Sequence, residues 1–222
     1  MILTKSPMRI SFIGGGTDLK SFYEKCEYGS VISTAINKYV YIGVNDRFDG
    51  KIRLAYSKNE IISNINQIKN DRIKCAMRNL GINRGIEIFY ISDVPKNMGL
   101  GGSSTFTIGI LHSLHAFKKN KIGANRLAEE ACEIEINQLG NPIGKQDQYA
   151  SAFGGFNYIQ FFSNGTVSVQ PINIDKKSLN NFMKNLLFIY LDKPHDSSKI
   201  LDDVNRNIDS NFDYLDRLNK LT

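Results

Sequence analysis

Residues 93–111 read DVPKNMGLGGSSTFTIGIL, with Gly99, Gly101 and Gly102 and the hydroxyls of Ser103, Ser104 and Thr105 directly ahead of an apolar segment. A glycine inside regular structure costs roughly 0.5–1 kcal/mol relative to alanine, so such a cluster needs a reason. The chemistry that suits it is anion binding. The first turn of a helix exposes unpaired N–H groups and a partial positive charge, and glycines let a phosphate approach them closely. Gly99, Leu100, Gly101, Gly102, Ser103 and Ser104 are therefore the candidate phosphate-binding residues, and the hydroxyls can cap the helix, bond phosphate oxygens or ligate a metal ion. Neither G-x-x-x-x-G-K-[ST] nor the dinucleotide fingerprint is present. On composition alone, a structural turn closed by a serine cap is an equal competitor.

Other charged residues stand where their surroundings ask for an explanation. On a helix expected over about 125–139, Ala128, Ala131, Glu135 and Leu139 share one stripe, whereas Glu129, Glu130 and Glu133 point away. A carboxylate on an apolar face needs a compensating cation or donor, which makes Glu135 a candidate magnesium ligand, with a structural ion pair as the alternative. Asp147, in GKQDQYA, reads by itself as the N-cap of a helix starting near Gln148. Arg9 alternates with Met8 and Ile10 on a strand. His112 and His115 lack a third ligand and read as satisfied helix histidines.

These residues need elements to hold them. MRISFI, residues 8–13, is a strand running into the GGGTD turn; KYVYIGVNDR and KIRLAYS flank an expected hairpin at Phe48-Asp49-Gly50. A helix is expected over about 60–80, then the strand GIEIFYIS. A helix from Ser103 carries Phe106, Ile110, Leu114 and Phe117 on one face. FGGFNYIQFF and TVSVQPINI flank a second hairpin at Asn164-Gly165, NLLFIYLD reads as a strand, and 196–221 as a helix with Leu201, Val204, Ile208, Phe212, Leu215 and Leu218 on one stripe. The mixed order indicates α+β architecture.

Composition narrows the class. The chain has 222 residues, 41% hydrophobic and 23% charged, and a net charge of +6 spread without a basic block, which argues against nucleic acid as the partner. Cys26, Cys75 and Cys132 are odd in number and widely spaced, which fits reduced thiols in a cytoplasmic protein. The start MILTKSPMRISF lacks the layout of a signal peptide, and no apolar run has membrane-spanning length.

PKNMGLGGSST resembles the second motif of the GHMP kinases, P-x-x-x-G-L-G-S-S-A; SPMRISFIGGGTD resembles the first; EIEINQLGNPIGKQDQYASAFGGFNYIQF resembles the segment bearing the catalytic aspartate. The combination is most similar to the branch of heptose phosphate kinases and fucokinases. The resemblance implies an α+β fold with an N-terminal half like a ribosomal S5 domain 2 over residues 1–175, and the start of a ferredoxin-like C-terminal half over 182–222. It implies that Asp147 is the catalytic carboxylate, that Arg9 holds it ionised, and that Ser103 and Glu135 bind Mg2+. Gly102 replaces the first motif serine, so backbone N–H takes over one hydroxyl contact. Asp18, with Gly15, Gly16 and Thr17, would bind the acceptor, the two glycines enlarging its pocket.

The implied activity is ATP-dependent phosphorylation of the anomeric hydroxyl of a sugar phosphate, D-glycero-α-D-manno-heptose 7-phosphate in the first instance, with a neutral sugar of the fucose type as runner-up. A non-catalytic nucleotide- or sugar-binding module is the further alternative. Where that branch carries a substrate-phosphate arginine this sequence has His195, with Lys193 and Lys199 nearby. No sequence like G-x-G-A-G-G-F follows residue 170, so the expectation is a chain lacking much of the C-terminal half, with weak activity or none by itself and a missing partner segment or a homo-oligomeric contact over its last helix.

Overall fold

Alternation of small or apolar residues with exposed ones sets the first strand, β1 (Ile2–Ile13), in which Thr4, Ser6 and Met8 are buried and Leu3 and Lys5 are not. The computed structural model describes residues 1–95, 97–187, 189 and 197–222. β1 runs antiparallel along β2 (Tyr28–Asp46), a strand of 19 residues. The opposite edge of β2 is shared: its first half pairs with β6 (Phe156–Phe162) and its second with β5 (Ile86–Ser92). β3 (Ile52–Ala55), β4 (Asn59–Ile62) and β7 (Val167–Pro171) complete a sheet ordered β4-β3-β5-β2-β6-β7, with β1 on β2.

β1 is an edge strand, and its register shifts between Pro7 and Arg9. Proline donates no ladder hydrogen bond and belongs at such an edge, and an irregularity of this kind re-aims the side chains beside it. Arg9 is the residue re-aimed.

The helices are α1 (Lys20–Tyr23), α2 (Asp71–Asn79), α3 (Gly102–Phe117), α4 (Ala124–Cys132), α5 (Gln146–Phe153), α6 (Lys176–Lys184), α7 (Ser197–Arg206) and α8 (Ile208–Leu221). α3 lies on β1 and β2 and is flanked by α2, α4 and α5. The expected one-sided helix is instead buried on most of its circumference: Thr105, Thr107, Ile108, Ile110, Leu111, Ser113 and Leu114 are all inaccessible. Three neighbouring helices cover what the Phe106–Phe117 stripe leaves open. The main core joins α3 to β2, β3 and β5 through Val40, Ile42, Leu54, Ile88, Ile110 and Leu114.

Several expectations are corrected. The helix over 60–80 is β4, a short 3-10 turn (Ile65–Gln67), and only then α2, because the buried Glu60 is held in an extended segment by the Tyr56 hydroxyl and the Lys69 amide. Phe48-Asp49-Gly50 turns the chain, but β3 pairs in parallel with β5, which inserts between β3 and β2. The Asn164-Gly165 hairpin between β6 and β7 forms as expected. The polar stretch near 175 begins α6, capped by the Asp175 carboxylate, which accepts from the Lys177 and Ser178 amides. The last helix is broken at Asn207 into α7 and α8. The strand expected over 185–192 falls largely outside the described residues, as do Lys193 and His195 and the side chain of Lys199.

Candidate active site

The glycine-rich loop is fixed at both ends. Asp93 takes the Tyr39 amide on its carboxylate at 2.9 Å and donates its own amide to the Tyr39 carbonyl at 3.0 Å. At the other end the free edge of β1 holds it: the Arg9 amide donates to the Leu100 carbonyl at 3.1 Å and Arg9 Nη1 donates to the Gly99 carbonyl at 2.7 Å. Gly101 caps α3 with φ +70°, and a Cβ there would sit 3.2 Å from Arg9 Cγ and 3.3 Å from Asp147 Oδ2. A left-handed conformation and a close approach both require glycine at this point. Leu100 anchors its side chain in the core. Ser103 is exposed, whereas Ser104 is buried and Thr105 Oγ1 donates back to the Gly101 carbonyl at 3.0 Å.

Beside the loop, Arg9 Nε and Nη2 reach Asp147 Oδ1 at 2.7 and 2.6 Å. Asp147 sits in the first turn of α5 and makes no cap, so its carboxylate is directed to Arg9 rather than to its own helix. The side chains are 11% and 25% exposed, leaving the carboxylate reachable by a ligand.

Gly99–Ser104, Arg9 and Asp147 line a cavity of about 670 Å3 together with Gly15, Gly16, Asp18 and Gln146. Asp18 is buried; its carboxylate accepts from the Gly16 amide, the Gln146 amide and Gln146 Nε2 at 3.1, 3.1 and 3.3 Å. Burial pushes its pKa up to about 6; the Gln146 amide opposes this, and the nearby Asp147 charge adds to it. Gln146 Oε1 and Asn141 Nδ2 are buried, line the cavity and have no partner among the described residues. Asn211, Tyr214 and Leu215 of α8 close the same end, Leu215 Cδ2 lying 3.2 Å from where a Gly16 side chain would begin. The opposite character appears at Tyr56, Tyr90, Val94, Met98 and Phe106, with Tyr90 and Phe106 edge to face at 5.1 Å. That surface suits a flat ring.

Two sequence-derived candidates are not on the cavity wall. Thr17 is fully buried and its hydroxyl is used within the turn, donating to the Gly14 and Ser30 carbonyls and accepting from the Ser30 amide. Glu135 is also fully buried, in a π-helical turn (Glu133–Gln138) that continues α4. Its Oε1 accepts from Arg72 Nε at 2.8 Å and Thr107 Oγ1 at 2.9 Å, and its Oε2 from Gln148 Nε2 at 2.6 Å. Both oxygens are thus engaged and the cation is already supplied by Arg72. This arrangement does not present Glu135 as a direct ligand to a magnesium ion beside Ser103, and no metal-holding cluster of His, Cys, Asp or Glu occurs among the described residues. His115 is buried with Nε2 2.7 Å from Glu130, while His112 is exposed.

Gln146, Asn141, Arg72 and the aromatic surface escaped sequence reasoning. Gln146 alone carried a local signal, as the neighbour of Asp147. Arg72 meets Glu135 across 63 positions of sequence.

Residues 53–155 match the family described as GHMP kinases N terminal domain. Residues 53–155 thus belong to the N-terminal domain of the GHMP kinases. Among the chain's relatives, the D-glycero-alpha-D-manno-heptose 7-phosphate kinase of Campylobacter jejuni subsp. jejuni serotype O:2 is 33% identical over 192 residues, covering 78% of this chain and 54% of that protein. The galactokinase of Pyrococcus furiosus is 29% identical over 188 residues, covering 79% and 50%. A crystal structure of a D-glycero-D-manno-heptose 1-phosphate kinase from Bacteriodes thetaiotaomicron superposes with a TM-score of 0.75 at 29% identity, over 81% of this chain and 62% of that one. The chain spans about half the length of the curated relatives it matches. No helix of the described residues is long and apolar enough to cross a membrane.

Proposed function

We propose that the protein transfers the γ-phosphoryl group of ATP to a sugar hydroxyl, and that the acceptor is a heptose phosphate: the anomeric hydroxyl of D-glycero-α-D-manno-heptose 7-phosphate, yielding the 1,7-bisphosphate. The observation carrying this reading is the Arg9–Asp147 pair held against the glycine loop in a cavity that also receives Asp18. The loop amides at residues 99–104 cradle the nucleotide phosphates, and the aromatic surface at Tyr90 and Phe106 takes the base. Asp147 orients the acceptor hydroxyl and receives its proton as that oxygen bonds to the γ-phosphorus and the bond to the β–γ bridging oxygen breaks, releasing ADP. Arg9 keeps Asp147 ionised and stabilises the charge gathering on the transferred group. Asp18, Gln146 and Asn141 offer hydrogen-bonding groups for sugar hydroxyls. Magnesium enters as the ion that accompanies ATP, with Ser103 as the exposed hydroxyl available to it; the units are residues 1–175, bearing this chemistry, and 182–222, closing the acceptor end.

The two heptose kinases similar to this chain are both named for a heptose phosphate, one for the 7-phosphate and one for the 1-phosphate. A neutral acceptor is the second reading, favoured by the acceptor end itself. Asp18 and Asp147 line it, and the cations lining the cavity, Arg9 and Arg72, are paired with Asp147 and Glu135 among the described residues. A coupled assay of ATP consumption over heptose 7-phosphate, heptose 1-phosphate, fucose and galactose separates the two. Turnover of a heptose phosphate at least tenfold faster than of any neutral sugar is expected, and turnover confined to neutral sugars moves the assignment to the second reading. No ATP consumption with any acceptor, in this chain or one extended to the relatives' length, overturns the kinase proposal.

A further inference from the structure

Arg72 stands in the first turn of α2, lines the cavity shared by Ser103 and the glycine loop, and keeps 30% of its side chain exposed. Its partner Glu135 is wholly buried, and the carboxylate's other two donors, Thr107 Oγ1 and Gln148 Nε2, are neutral and buried. Within this cluster only Arg72 spans from the interior to the cavity. Glu135 engages Nε alone among the contacts of the described residues. A guanidinium has five N–H donors in a rigid fork, so an edge pinned at Nε leaves its terminal amino groups oriented for a second oxyanion. Pinning also removes the side-chain freedom that a phosphate contact would otherwise have to quench. Thr107 lies one turn along α3 from Ser103, and Gln148 is next but one after Gln146, so the same carboxylate fixes the elements bearing the loop, Asp147 and Arg72.

We propose that Arg72 is a polyphosphate-binding residue, and that Glu135 serves this chain by holding the Arg72 guanidinium in the nucleotide site instead of by ligating magnesium directly. This rests on the proposed nucleotide site and assigns its fixed positive charge.

Titration calorimetry of the protein in EDTA, with ADP and separately with adenosine as probes, tests it. Arg72→Met is expected to weaken ADP binding by about tenfold or more, the usual scale for a charge-assisted phosphate contact, while leaving adenosine affinity within about twofold. Arg72→Lys should lose ADP affinity as well, since an ammonium cannot serve both anions through a planar fork. Equal losses for ADP and adenosine would mean that Arg72 only supports the fold, and unchanged ADP affinity would mean that it does not meet phosphate. Tighter ADP binding by Arg72→Met once magnesium is added would mean that Arg72 competes with the metal for Glu135; each of these three outcomes overturns the proposal. If the wild-type protein binds neither probe, the nucleotide site itself fails; wild-type ADP binding with an indifferent Arg72→Met leaves the kinase reading standing and removes this one.

Discussion

Two arginines line the cavity, each paired with a carboxylate, and the two carboxylates stand in different surroundings. In Arg9–Asp147 the carboxylate is a quarter exposed and sits on the helix start facing the glycine loop. In Arg72–Glu135 the carboxylate is inaccessible and accepts from two further donors. A reachable carboxylate keeps lone pairs for a substrate proton; one buried out of contact with the cavity and held by three donors does not, and would act through the cation it fixes. Proximity to the glycine loop is therefore not enough to assign a carboxylate to chemistry. Access and the count of donors decide.

The sharpest test of that contrast is Asp147→Asn. It should cut the rate of phosphoryl transfer at least ~100-fold, the scale of general-base catalysis, while ADP affinity measured by calorimetry holds. Glu135→Ala should act on the fold: Thr107, Gln148 and Arg72 lose their acceptor together, and chemical denaturation should show a loss of about 3 kcal/mol. If Glu135→Ala proves as stable as the wild type and Asp147→Asn unfolds instead, the two pairs have been assigned the wrong way round.

Asp18 extends the comparison to a buried carboxylate whose donors among the described residues are all neutral. Its folded pKa of about 6 lies above the ordinary 3.8, so the folded state binds the proton more tightly than the unfolded chain. The resulting stability is fully present below about pH 4 and is lost as pH rises through about 6. Its size is on the order of 3 kcal/mol. Denaturation midpoints of wild type and Asp18→Asn, followed from pH 4 to 7, should diverge as pH rises, the variant retaining what the wild type loses. Parallel profiles would mean that Asp18 stays ionised throughout. The smallest effect is expected at Gly101→Ala, about 1–2 kcal/mol of stability from the left-handed backbone, seen as a lower Tm, with a loss of turnover because the new methyl group crowds Arg9 and Asp147.

Much of this site was legible where chemistry and structure are written in adjacent residues. The strand-turn-helix around Gly101 follows from three glycines before an apolar run, and the burial of Glu135 follows from its phase with Ala128 and Ala131. What could not be read was set by distant partners. Ile61, Ile62, Ile65 and Ile68 satisfy helical spacing as well as they satisfy β4 and the turn after it, and the extended form prevails because β3 offers a pairing edge. Asp49-Gly50 has hairpin chemistry, yet no local signal announces that β5 will take the place beside β2. The cation at Glu135 was readable as a need; that Arg72 meets it was not.

The edge position of β1 ties the placement of Arg9 to the pairing of two strands. Side chains on a strand alternate with period two, so a slip of β1 by a single residue against β2 would carry the Met8 thioether to Asp147 and drive a guanidinium under α3. The hydrogen bond from the Arg9 amide to Leu100 would be lost in the same movement. Strand alignment, loop position and carboxylate charge therefore stand or fall as one unit, and an error in pairing two strands is at once an error in chemistry.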